Sequence, residues 1–149
     1  MSRRQSPPGL ADALAEVRDI YRDLAARPAE RDCRSLAGCC HFRLTGRAPV
    51  LTRGEALLAA KGVRAAGRKQ LKPHPDGACP ALGADQRCTI YEFRPFGCRT
   101  HFCAAAGGLL PRRQVADLIQ RLEALDERLG GDGSRPFEAA VSDALAGAF

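Results

Sequence analysis

Four cysteines crowded into one stretch constrain this chain more than any other feature of its sequence. Between residues 79 and 103 they are separated by eight, nine and four residues, and prolines and glycines interrupt the stretch. Three more cysteines form a second group upstream. The two clusters are Cys33, Cys39 and Cys40, and Cys79, Cys88, Cys98 and Cys103. Such density favours metal coordination over scattered buried thiols, and we expect the two clusters to fold onto each other around metal.

The composition predicts a small, mainly α domain. The chain has 149 residues, enough for one modest core, and it contains no Trp and few other aromatic residues. A core of Ala and Leu suits close helix packing, whereas β-sandwiches need β-branched and aromatic side chains. We therefore expect a helical domain with an irregular cysteine-rich metal-binding knuckle. Residues 1–9 are predicted to be a disordered tail, and residues 10–149 a single domain.

Apolar spacing and capping signals predict four helices. The second is expected to begin with a capping box formed by Thr52 and Glu55, and residues 70–78 are expected to be a loop. The predicted helices run from Leu10 to about Ala26, from Arg53 to about Lys69, from Pro111 to Leu129, and from Ser134 and Pro136 onwards.

Two short turns are expected inside the downstream cluster. Thr89 and Glu92 match a capping pattern that predicts a helical turn directly after Cys88. The residue before Pro95 is disfavoured in a helix, so the turn should end there, and the proline can open another turn that delivers Cys98. Three apolar residues in this stretch should form a jacket that limits solvent access to the thiolates; they are Ile90, Phe93 and Phe96.

The sequence shows no export or membrane signal. No apolar segment follows the two N-terminal arginines, and no run of about 18 apolar residues exists. We therefore expect a cytoplasmic protein without membrane contact. Structural disulfides are disfavoured in the cytosol, and seven cysteines cannot all pair within one chain. The cysteines are thus expected to bind metal or to be catalytic.

Thiolates bind both zinc and iron, so the cysteines alone leave the metal open. Four of them suffice for a tetrahedral Zn²⁺ or for one iron–sulfur cluster. Arg94 and Arg99 are expected to compensate the charge of the gathered thiolates, with Tyr91 beside them outside the ligand set. His41 and His101 each adjoin a cluster and are additional candidate ligands.

The downstream motif carries a family resemblance. The string C-P-x-L-x₅-C-x-I-Y-E-x-R-P-x-x-C-R, from Cys79 to Arg99, resembles the bacterial YkgJ-like cysteine-cluster family, whose CxxCxxCC domain is described as zinc- or iron-chelating. That family has an upstream C-x₂-C-x₂-C-C signature, and here Leu36 stands where its second cysteine would be. The resemblance implies that both clusters supply ligands. Some larger members resemble a flagellin lysine methylase, which implies iron–sulfur and S-adenosylmethionine-related chemistry as one alternative.

Three functions remain open from the sequence. The first is an accessory or structural metal-binding protein, with or without a protein partner. The second is a small iron–sulfur redox or methyl-transfer related enzyme, although the chain has no glycine-rich nucleotide loop and no paired catalytic carboxylates. The third is a zinc-scaffolded nucleic-acid binder, because residues 31–72 carry ten Arg or Lys against Asp32 and Glu55. Only one aromatic residue, Phe42, lies in that segment to stack on bases.

Overall fold

The structure, a computed structural model, describes residues 6–27, 49–100 and 110–147 and is mainly helical, as the composition predicts. Its helices are α1 (Leu10–Ala25), α2 (Arg53–Ala65), α3 (Phe96–Thr100), α4 (Ala116–Arg128) and α5 (Phe137–Leu145). Two 3₁₀ turns, Tyr91–Phe93 and Arg112–Gln114, and two strands, β1 (Val50–Leu51) and β2 (Arg135–Pro136), complete the regular structure. No helix in this part of the chain is long and apolar enough to cross a membrane.

The apolar spacing in α1 predicts a buried stripe of Leu10, Leu14, Val17, Tyr21 and Leu24, and all of these except Leu10, which is 60% exposed, are buried. Its apolar face is buried against α2 and α4, and Val17 and Ile20 are completely inaccessible to solvent. Ion pairs join the polar face of α1, and Arg27 just beyond its end, to α4. The pairs join Glu16 to Arg128, Asp23 to Arg121 and Arg27 to Asp117.

Helix α2 begins as predicted but ends early. The capping box between Thr52 and Glu55 is present. The helix ends at Ala65 and not near Lys69, because Gly67 adopts a left-handed φ of 80°. The amide of Arg68 then donates to the carbonyl of Val63, the bond expected of a glycine-terminated helix.

The last two helices begin later than the sequence patterns predict. Pro111 opens only the 3₁₀ turn, since Val115, at φ −130° and ψ 8°, interrupts the helical backbone before α4. Residues Arg135–Pro136 are not helical: they pair antiparallel with Val50–Leu51, and α5 begins at Phe137. This two-stranded ribbon was not predicted.

Two apolar clusters make up the core, and α2 contributes to both. The first core joins α2, α5 and the loop around residues 78–82, and includes Cys79, Leu82 and Ile90. The second core joins α1, α4 and one side of α2, and includes Phe96. Phe93 packs against both cores. The first core therefore touches the cysteine stretch directly.

Candidate metal centre

The segment between Cys79 and Cys88 folds back on itself as a tight hairpin. An isolated β-bridge joins Leu82 to Cys88, and the amide of Gly83 donates to the carbonyl of Arg87 at 2.8 Å. At the tip, Gln86 has a left-handed φ of 64°. The hairpin therefore returns Cys88 to a position opposite Leu82, three residues after Cys79.

These two cysteines have an apolar environment. Cys79 is only 5% exposed within the first core, and Cys88 is half-buried and packs against the same core. Ile90 belongs to this core as well, in agreement with the predicted apolar jacket. Phe96 does not: it packs in the second core, which contains none of the cysteines that the structure describes. A part for Phe96 in the jacket stays a prediction, because its ring packs with residues of α1 and α4.

The Thr89 hydroxyl does not cap a helix. It donates to the carbonyl of Ala81 at 2.6 Å, across the hairpin. The following 3₁₀ turn, Tyr91–Phe93, has Ile90 at its N-cap and no side-chain cap. The predicted turn after Cys88 therefore exists, but its assignment to a Thr89–Glu92 capping box was wrong, since the hairpin takes the hydroxyl.

Cys98 lies on the short helix α3, as the proline pattern predicts. Arg94 has extended backbone angles, φ −58° and ψ 140°, and ends the preceding turn. The carbonyl of Pro95 then accepts from the amides of Cys98 and Arg99, at 3.0 and 3.2 Å. The Cys98 side chain is half-buried.

Arg94 and Tyr91 brace the chain between the two turns. The Arg94 guanidinium lies 3.8 Å from the centre of the Tyr91 ring, and its Nε donates to the Tyr91 carbonyl at 2.9 Å. This pairing combines a cation–π contact with a hydrogen bond. These contacts fix the backbone between Cys88 and Cys98. A role of Arg94 and Tyr91 next to a bound metal stays a prediction.

Arg99 holds positive charge beside Cys98. Its Nε and Nη2 donate to the carbonyls of Arg94 and Glu92, at 2.7 and 2.8 Å. Its guanidinium also lies 4.1 Å from the centre of the Tyr21 ring, on α1. Burial lowers the pKa of Arg99, and the interaction with Tyr21 opposes that decrease. Compensation of a thiolate at Cys98 by this side chain stays a prediction.

The sequence interpretation missed the buried network around Glu55. Its carboxylate is 3% exposed and accepts hydrogen bonds from the Thr52 amide and hydroxyl at 2.9 and 3.0 Å. It also accepts from the Tyr21 hydroxyl at 3.0 Å and from the Phe96 amide at 2.7 Å. Burial raises the pKa of Glu55, while these hydrogen bonds oppose the increase. Burial, followed by the Glu55 charge, raises the pKa of Tyr21 well above its ordinary value.

Three described residues that border residues 28–48 or 101–109 lie at or next to α3: Pro49, Thr100 and Leu110. The carbonyl of Thr100 accepts from the amide of Leu110 at 2.9 Å, so residues 101–109 leave and rejoin the described chain at one hydrogen bond. Pro49, where the description resumes after residue 48, lies 3.5 Å from the position of a Cβ on Gly97, and its carbonyl accepts from the Phe137 amide. A groove of about 410 Å³ opens here, lined in part by Gly97, Thr100 and Leu110.

A comparison with protein families decides the assignment. Residues 32–121, more than half of the 149 residues, match the model of the family described as "CxxCxxCC: Putative zinc- or iron-chelating domain". The chain belongs to the CxxCxxCC family. The resemblance in the downstream motif is thereby confirmed at the level of a zinc- or iron-chelating domain. No match was found among curated proteins or among solved structures.

The CxxCxxCC match spans both clusters, whereas the structure describes only three of the seven cysteines. Among the described residues, no three Cys, His, Asp or Glu side chains are grouped so that they could hold a metal ion. Cys79, Cys88 and Cys98 therefore do not form a site by themselves. The other predicted ligands lie outside the described residues: Cys33, Cys39, Cys40, Cys103, His41 and His101. The predicted ligand set stays a prediction.

Part of the basic segment has a structural role. Arg53 donates to the carbonyl of Leu129 at 2.8 Å, and Arg64 donates to that of Ala144 at 3.3 Å. These carbonyls lie at the C-terminal ends of α4 and α5, where positive charge is favourable. Arg68 donates to the Pro80 carbonyl at 2.8 Å, beside Cys79. Nucleic-acid binding through residues 31–72 stays a prediction, and these contacts explain several of the charges without it.

Proposed function

We propose that this CxxCxxCC protein binds zinc or iron through thiolates from both cysteine clusters, and that it acts as an accessory or structural metal-binding protein. The observation that carries the proposal is the single family match over residues 32–121, which includes every cysteine of the chain. The ligands would come from Cys33, Cys39 and Cys40 and from Cys79, Cys88, Cys98 and Cys103.

The surroundings of the described cysteines support this proposal. Cys79 and Cys88 lie against apolar side chains, and such a shell limits the access of water to a metal site. Arg99 supplies positive charge beside Cys98, which favours the thiolate that binds metal. Soft sulfur donors in this environment fit zinc or iron better than the oxygen-preferring ions.

The positions of the described residues nearest to the two clusters support a contribution from both. Residue 103 is three residues beyond Thr100, so its Cα can lie at most about 11 Å from the Thr100 Cα. The segment with the upstream cluster rejoins the described chain at Pro49, which lies next to Gly97 on α3. The described residues that follow the upstream cluster and precede Cys103 therefore both lie at the helix of Cys98.

Bound metal would add structural or redox chemistry according to its identity. Zinc would link the clusters and contribute folding free energy, whereas an iron–sulfur cluster would also carry electrons. In either case the thiols release their protons on binding, and Arg99 offsets part of the negative charge left behind. The family description names no substrate and no reaction, so it adds no support to the enzyme alternative.

Metal analysis of the full-length protein purified without oxygen tests the proposal. We expect stoichiometric zinc or iron, and Cys88→Ser and Cys98→Ser should each lose most of it. Both side chains are half-buried, so the fold should tolerate the small change in size. Circular dichroism verifies folding, and Ser142→Ala serves as a control of similar size outside the cysteine stretch. Full metal content in both folded cysteine variants would contradict the proposal.

The same preparation distinguishes the metals. An iron–sulfur cluster gives a brown protein with visible charge-transfer absorption that disappears on loss of the cluster, whereas a zinc protein is colourless. Chelation of a structural zinc should lower the unfolding temperature. Unfolding that does not respond to chelation, in a protein shown to lose its metal, would exclude a structural role.

A further inference from the structure

The helix that carries Cys98 is too short to be stable alone. Helix α3 has five residues, whereas isolated helices shorter than about 12 residues are marginal in water. Its position must therefore come from contacts with the rest of the molecule. Two of these contacts reach the same buried group, Glu55.

The first contact holds the start of the helix. The amide of Phe96, the first residue of α3, donates to Glu55 Oε1 at 2.7 Å. This is the shortest of the hydrogen bonds that the Glu55 carboxylate accepts. It crosses from α2 to α3 over 41 residues of sequence, so it fixes one helix relative to the other.

The second contact holds the side of the helix. Tyr21 donates its hydroxyl to the same Oε1 of Glu55, and its ring lies beneath the Arg99 guanidinium. Arg99 directly follows Cys98. Glu55, Tyr21 and Arg99 thus form a continuous chain of contacts that ends at the residue after Cys98.

A second buried carboxylate, Asp126, makes similar hydrogen bonds but only to parts of the chain away from the cysteines. Asp126 is also 3% exposed, and its oxygens accept from the amides of Arg53 and Gly133, at 2.7 and 2.9 Å. Those contacts join α2 to the loop after α4 and involve none of the cysteines. Asp126 therefore provides a matched control for Glu55: both are equally buried and both bind the first backbone amide of a helix.

We infer that Glu55 is a positioning residue for Cys98, because its carboxylate fixes both the start of α3 and the Tyr21 ring on which Arg99 rests. The inference rests on the proposed function, in which Cys98 is a metal ligand. If Glu55 orients a metal ligand in this way, its substitution should weaken metal retention more than the accompanying loss of stability can explain.

The test compares Glu55→Gln with Asp126→Asn in the full-length protein purified with its metal. Each change keeps the shape of the side chain and removes its charge. The readout is the EDTA concentration that removes half of the bound zinc or iron, measured at a temperature where both variants are fully folded. Loss of groups that orient ligands typically weakens metal binding by about 10–100-fold. We expect a shift of this size for Glu55→Gln and a value close to wild type for Asp126→Asn.

The outcomes separate this inference from the proposed function. Wild-type protein without metal refutes the proposed function, and the inference with it. Wild-type protein with metal, combined with equal retention in the two variants, refutes only the inference. If Glu55→Gln fails to fold, Tyr21→Phe decides, since it removes one donor to the carboxylate but keeps the ring under Arg99. Weaker retention in Tyr21→Phe than in Asp126→Asn supports the inference, and equal retention overturns it.

Discussion

Glu55 and Asp126 are equally buried, at 3% exposure, and both meet the first turn of α2, yet they connect it to different parts of the molecule. Glu55 lies on α2 itself and binds the amide of Thr52, whereas Asp126 reaches across from α4 and binds the amide of Arg53. Two negative groups at a helix N-terminus are favourable, because the first amides there have no partner within the helix.

The difference lies in how each carboxylate uses its remaining acceptor capacity. Asp126 accepts from the amide of Gly133 and so closes the loop that follows α4. Glu55 accepts from Tyr21 on α1 and from Phe96 on α3. Asp126 therefore joins two elements that are already well packed. Glu55 joins three elements, and one of them is the five-residue helix with Cys98.

Truncation of each carboxylate should produce the largest measurable difference. Glu55→Ala leaves the Tyr21 hydroxyl and the Thr52 and Phe96 amides without their buried acceptor, and we expect a loss of about 3–5 kcal/mol in unfolding free energy. Asp126→Ala leaves two amides, with an expected loss of about 2–3 kcal/mol. Urea unfolding at neutral pH measures both values. A larger loss for Asp126→Ala would reverse the proposed ranking of the two groups.

A second prediction concerns the close approach of α2 to the cysteine stretch. A Cβ built on Gly62 would lie 2.7 Å from both Cβ and Cγ of Phe93. These atoms are next to the backbone and cannot move away cheaply, so Gly62→Ala should destabilise the protein by about 1–2 kcal/mol despite the better helix propensity of alanine.

The control for this prediction is Gly9→Ala. A Cβ on Gly9 meets no atom within 4 Å, and its φ of −64° suits any residue. Thermal unfolding of both variants should show a lower midpoint for Gly62→Ala and little change for Gly9→Ala. Equal midpoints would mean that the Phe93 segment can shift at little cost in free energy. Contacts other than the one between Gly62 and Phe93 would then hold the stretch between Cys88 and Cys98 in place.

Signals that act within a few residues could be interpreted correctly from the sequence. The apolar stripe of α1, the capping box at Thr52 and the proline that opens α3 all depend on neighbours within one or two helical turns. The early end of α2 was also encoded locally, since Gly67 is the left-handed residue that terminates it. The predicted helix continues past this glycine to about Lys69, although glycine is the usual residue at such a terminal position.

The long-range contacts left no comparable signal. The Thr89 hydroxyl had a plausible local partner in Glu92, but the hairpin brings it to Ala81 instead. Glu55 was recognised only as part of a capping box, because its other partners, Tyr21 and Phe96, are 34 and 41 residues away. The sequence could therefore predict that Cys98 lies on a turn, but not what holds that turn in place.

The smallest expected effect comes from an exposed carboxylate that contrasts with both buried ones. Asp117 pairs with Arg27 on the surface, and this hydrogen-bonded pair lowers the pKa of Asp117 to about 2. Since the unfolded chain has the ordinary value of 3.8, the pair stabilises the fold above that pH, and the contribution is lost as the pH falls towards 2. Burial acts in the opposite direction on the pKa of Glu55, so its ionisation weakens the fold as the pH rises.

Asp117→Asn should therefore make the unfolding free energy fall less steeply between pH 4 and pH 2. In this range the pair causes the wild-type chain to bind up to about one additional proton when it unfolds, and the variant lacks this contribution. Urea unfolding midpoints across this range provide the measurement. Arg27→Gln should produce the same reduction, and the double variant should reduce the dependence no further, because either change removes the same pair. An unchanged pH dependence in Asp117→Asn would show that the pair does not persist in solution. The pH dependence at low pH would then come from other carboxylates, and those groups would have to be compared with the buried Glu55 and Asp126 instead.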